Sequence, residues 1–232
     1  MSIAAISVIS IIAGIICLLI ISIDLISRPQ IMWIMNIVWP VTALYSGPLG
    51  LLLYFYIGRQ VPKEKMESQM QGMQGMKENH MQSHSPFWQS VLKGALHCGS
   101  GCTLGDLISG WLLLIIPVTI LGSKLIGDWI IEYVLAFAIG IIFQYYAIKP
   151  MKNLSSGDAF KAALKADTLS LTFWQIGMYG WMAIANFLIF HHRLDASTPV
   201  YWFMMQIGML CGLVTAYPIN WLLIKKGVKE AM

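Results

Sequence analysis

Ten residues near the middle of the chain concentrate the groups best able to do chemistry: His97-Cys98-Gly99-Ser100-Gly101-Cys102-Thr103-Leu104-Gly105-Asp106. If the stretch is helical, Cys98, Cys102 and Asp106 follow at i, i+4 and i+8 and share a face. Thiolate and imidazole are ligands for copper(I) and zinc. His97, Cys98 and Cys102 are therefore candidate metal ligands, with Asp106 as an auxiliary oxygen donor. His97 lies about 100° round the axis from Cys98, so this site needs a bend at residues 99–101, which glycine permits. The competing reading is close packing, because Gly101 and Gly105 are a small-xxx-small pair and cysteine is often just a small buried side chain. Without a metal, Asp106 is a candidate proton carrier, since carboxyls inside a bilayer are costly and commonly functional.

Weaker candidates lie elsewhere. Residues 59–85 carry Met66, Met70, Met73, Met76 and Met81 with His80 and His84, a pattern able to bind copper(I) weakly or merely a solvated linker. His191 and His192, with Asp128, Glu132 and Asp195, could form another metal site or a polar turn. The pairs Met178/Met182 and Met205/Met209 recur at i, i+4 and suit either a thioether ladder or packing. Gln175-Ile176-Gly177-Met178 and Gln206-Ile207-Gly208-Met209 echo each other, as in inverted repeats or in tight helix contacts. Asp167 reads as a helix-end carboxylate paired with Lys161, Lys165 or Lys93. No nucleotide loop, serine elbow or HExxH pair occurs, and no pair of histidines is placed to ligate a haem. These absences argue against an enzyme.

The elements that must position these groups are membrane helices. The 232 residues are 57% apolar and 11% charged, against about 25% charged in soluble domains. Apolar runs of about twenty residues match the length that crosses a bilayer. The predicted fold is all-α, an integral membrane bundle of about six transmembrane helices plus an amphipathic interfacial helix. Spans are expected at 3–23, ended by Asp24 and Arg28-Pro29; at 31–57, kinked by Pro40 and Gly47-Pro48; from the His-Cys stretch to 121; at 127–148; from 167 to 190; and at 200–224. The interfacial helix starts at Ser85-Pro86 and presents Phe87, Trp88, Val91, Leu92, Ala95 and Leu96. Ser155 and Asp158 resemble a capping box. Three regions result: an N-terminal helix pair over 1–58, the loop over 59–85, and a membrane domain over 86–232.

The net charge of +4 is not a nucleic-acid signature, because the basic residues flank the apolar runs. With six spans, Arg59, Lys63, Lys65, Lys77, Lys93, Lys149, Lys152, Lys161, Lys165, Lys225, Lys226 and Lys229 fall on one side, and Arg28, Lys124 and Arg193 on the other. The positive-inside rule then places both termini in the cytoplasm of a multi-pass cell-membrane protein. Only the first span, with Arg28 after it and no basic residue before it, points the other way. Cytoplasmic thiols at Cys98 and Cys102 are expected to be free.

Four segments carry a family resemblance: 97–106, Lys165-Ala166-Asp167-Thr168-Leu169-Ser170-Leu171-Thr172, Gln175-Ile176-Gly177-Met178-Tyr179-Gly180-Trp181-Met182, and Tyr217-Pro218-Ile219-Asn220-Trp221. From Phe87 onward the chain resembles an uncharacterised family of prokaryotic multi-pass membrane proteins, of the domain of unknown function 4396 type. The resemblance implies a helical membrane domain, loosely associated with copper handling.

The expected function is binding or translocation of a soft metal, copper first and zinc second, with copper or zinc ion as cofactor. The alternatives are a small proton or solute transporter using Asp106, and a non-catalytic assembly subunit. Expected partners are the lipid bilayer and another membrane subunit or a second copy of this chain, with no nucleic acid.

Overall fold

The computed structural model describes residues 2–62, 86–152 and 155–230. Among them the chain forms helices and no strand. Helix α1 (Ile3–Ser27) starts at Ser2, whose hydroxyl accepts the Ala5 N–H. Ser7, Gly14, Cys17, Ile21 and Leu25 face the bundle, while Ile9, Ile12, Ile16, Leu19 and Ile23 on the opposite side are exposed, as on a helix against lipid. The helix continues one turn past Asp24, where the sequence suggested an end. Tyr54 and Arg59 each donate to the Asp24 carboxylate at 2.8 Å, so the charge is matched there.

The second expected span is not one kinked helix. It divides at Gly47 into α2 (Met35–Ser46) and α3 (Pro48–Leu53), and α3 runs on as a π turn over Tyr54–Gly58. Pro40 stays inside α2. The break falls at Gly47 because its φ of +56° is open to glycine, and Pro48 suits the first position of the next helix.

Helix α4 (Phe87–Ile115) carries the central stretch. It is one helix of about 44 Å. The bend anticipated at residues 99–101 is absent, and α4 stops before Pro117 rather than at 121. The amphipathic stripe forms its first turns, with Phe87 and Trp88 exposed and Val91, Ala95 and Leu96 buried. The glycines of α4 admit close neighbours. A Cβ at Gly99 would strike the Trp174 indole, one at Gly101 the Gly140 backbone, and one at Gly105 the Ala136 backbone. This is the close approach small residues allow in membrane bundles.

Helices α5 (Lys124–Lys152), α6 (Ser156–Ile184, followed by a π turn over Ala185–Ile189) and α7 (Pro199–Lys225) complete the bundle. Ser155 accepts the Asp158 N–H at 3.2 Å and donates to its carboxylate at 2.7 Å, forming the expected cap. The Gln-Ile-Gly-Met echoes lie where α6 meets α7: Gly177 abuts Cys211 and Thr215, and Gly208 abuts Met178. Met178, Met182, Met205 and Met209 share one apolar core with Leu171 and Trp174. A second core joins α1, α2, α4 and α5 through Ile21, Val38, Trp39, Leu96 and Phe143.

Among the described residues four helices (α1, α4, α5 to Lys149, and α7) are long and apolar enough to cross a membrane. Helix α6 carries Lys161, Lys165 and Asp167, and the α2–α3 segment is interrupted at Gly47. The methionine tract with His80 and His84 lies outside the described residues.

Candidate functional site

Helices α4 and α6 hold two buried polar layers, two turns apart on each. Cys98 and Asp167 lie in one layer, Asp106 and Gln175 in the other, with roughly 12 Å of helix rise between them.

In the first layer the Cys98 thiol donates to Asp167 Oδ1. The Ser170 hydroxyl donates to the Cys98 sulfur at 3.1 Å, and Asn220 Nδ2 donates to Ser170 at 2.7 Å. The layer is closed by Lys229, four residues past the end of α7. Its ammonium lies 2.7 Å from Cys98 Sγ, 3.2 Å from Asp167 Oδ1 and 3.3 Å from the Gly94 carbonyl. Both side chains of the Lys229–Asp167 ion pair are 0% exposed. Burial opposes the Lys229 charge, and the Asp167 carboxylate beside it offsets that cost. The second Asp167 oxygen and the Asn220 side-chain oxygen are buried without hydrogen bonds.

In the second layer Asp106 is buried with neither carboxylate oxygen hydrogen-bonded. Its polar neighbours are Glu132 of α5 and Gln175 of α6. Tyr201 donates to Glu132 at 3.2 Å. Beyond them Arg193 pairs with Asp128. A cavity of about 20 Å³ touches Asp128, Glu132, Arg193 and Tyr201, room for about one water molecule. From the side, a cavity of about 290 Å³ between α1, α2, α4 and α7 reaches Asp106.

These layers redistribute the predicted ligands. His97 faces α5, its ring 6.0 Å from that of Phe143, whereas Cys98 faces α6. Cys102 is buried in the apolar core. Among the described residues no three His, Cys, Asp or Glu side chains stand together as a metal site. His191 and His192 are exposed, their rings against the carbonyls of Phe187 and Phe190. Asp167 does not pair with Lys161, Lys165 or Lys93. It is fully buried and pairs with Lys229, because α6 turns it inward toward Cys98.

A family model, Domain of unknown function (DUF4396), matches residues 87–229, more than half of the chain. The chain belongs to this family. No curated protein and no solved structure matches it. The DUF4396 region holds every side chain of both layers, and α1–α3 lie outside it. The segments that carried the resemblance supply Cys98, Asp106, Asp167, Ser170, Gln175 and Asn220. Lys229 was legible only as a flanking charge. The signal that marks it out is Gly227, a helix-ending glycine between it and Lys225-Lys226.

Proposed function

We propose that this DUF4396 protein moves protons or another small cation across a membrane, with Asp106 and Glu132 as the exchanging groups. The observation that supports this reading is a pair of buried carboxyls, neither of which forms an ion pair with a lysine or arginine among the described residues. Such a pair calls for a proton or a cation to balance it. The small cavity beside Glu132 gives it a water-sized neighbour toward Arg193, and the Cys98–Asp167–Lys229 layer lies about 12 Å away along α4 and α6. On the positive-inside rule the Lys229 layer faces the cytoplasm, both termini are cytoplasmic, and α2–α3 and α6 complete six passes.

The test is dye-reported proton flux in proteoliposomes under an imposed gradient. Asp106→Asn and Glu132→Gln are each expected to lower flux by about tenfold or more. Unchanged flux in both sinks the reading. Absence of flux in the wild-type protein favours an assembly subunit. Copper or zinc near one per chain, lost in each of His97→Ala, Cys98→Ser and Cys102→Ser, would instead support soft-metal binding through His97, Cys98 and Cys102.

Topology is tested separately. Reporter fusions after Met232 and within residues 66–81 are expected to score cytoplasmic, and an external score for either contradicts the six-pass arrangement.

A further inference from the structure

The Lys229 layer is a cation site already filled by the chain itself. An alkylammonium group has three N–H donors, and the site offers the Lys229 ammonium three acceptors: the Gly94 carbonyl, Cys98 Sγ and Asp167 Oδ1. Two more buried acceptors beside them, Asp167 Oδ2 and Asn220 Oδ1, are unused. The occupant arrives on a short strap. Past α7 the chain reverses at Gly227, with φ +65°, and the Val228 N–H returns to the Leu223 carbonyl at 2.9 Å. Lys225, Lys226 and Gly227 are exposed, while Lys229 is fully buried. An interior ion pair is thus held by a short turn whose neighbouring residues lie at the surface.

We propose that this layer is a binding site for a primary ammonium ion, R–NH3+, and that Lys229 is a tethered occupant which a free primary ammonium displaces. The strap then acts as a plug on this layer. The recognised group is the ammonium with its three donors. A quaternary ammonium, which has the charge but no N–H, does not fit. This goes beyond the translocation reading and does not need it, since binding is measured at equilibrium in detergent without flux.

The probe is n-propylammonium, which reproduces the part of the lysine side chain that alanine lacks, with tetramethylammonium chloride at equal concentration as control. In the wild-type full chain, hydrogen exchange of the Val228 and Lys229 amides is expected to be about tenfold faster in propylammonium than in the control. The amine is used at about 0.1 M, above the millimolar effective concentration of a tethered group. In Lys229→Ala, propylammonium is expected to raise the thermal midpoint saturably by roughly 4 °C, and this gain should vanish in Lys229→Ala/Asp167→Asn. Wild-type exchange that ignores the amine overturns the proposal. So does a Lys229→Ala midpoint that rises equally with tetramethylammonium, which is an effect of salt alone. If Lys229→Ala does not fold, the wild-type exchange experiment decides by itself.

Discussion

Asp167→Asn is expected to destabilise the protein by about 3–5 kcal/mol, the cost of leaving one member of a buried ion pair uncompensated. The Lys229 ammonium is fully enclosed and pairs with this carboxylate. Asparagine keeps the volume but removes the charge that balances the lysine. Lys229→Met in the same chain should restore most of the loss, because neither charge then remains buried and methionine fills the space of the stem. Thermal or denaturant midpoints in detergent, compared as a double-mutant cycle, measure the coupling. A loss below about 1 kcal/mol for Asp167→Asn is the value of an exposed pair, and would mean that the layer is hydrated in solution.

Gly105→Val should cost about 3 kcal/mol, the upper end of the usual range for overpacking. The added side chain would land on the Cα and N of Ala136. Backbone cannot rotate away as a side-chain tip can, so α4 and α5 must separate. Gly105 adjoins Asp106, and Ala136 lies one turn from Glu132, so this contact also sets the spacing of the two carboxyls. Gly180→Ala is the matched control. A Cβ there meets nothing within 4 Å, and helical glycine to alanine should be neutral or stabilising by about 0.5–1 kcal/mol. Equal midpoints for the two variants would show that the α4–α5 contact is looser than the structure has it.

Much of the architecture follows from the chain alone. Long apolar runs leave the backbone no partners but its own, so they form helices wherever they stand. Ser155 with Asp158 marks a helix start by local hydrogen bonding, and Gly47-Pro48 marks a break by local sterics. Gly101 and Gly105 announce close packing because their spacing aligns them on one face. These readings hold because each depends on residues within a turn or two of each other.

Only the tertiary structure decided what the ionisable groups do. Cys98 and Asp167 are 69 residues apart in sequence, and Lys229 is 131 residues from Cys98. Residues 99–101 stay helical because Trp174 and Gly140, from two other helices, fill the space the glycines leave. Their flexibility alone suggested a bend, whereas packing against those helices removes it. His97 and Cys98 are neighbours in the chain, yet the regular helix turns one toward Phe143 and the other toward Asp167. Lys229 looked like one more basic residue beside a membrane span, since Gly227 marks where the helix ends but not that the chain beyond it folds back into the bundle. Partner choice for a buried charge is settled by what surrounds it at close range, and in this chain those surroundings come from four separate segments.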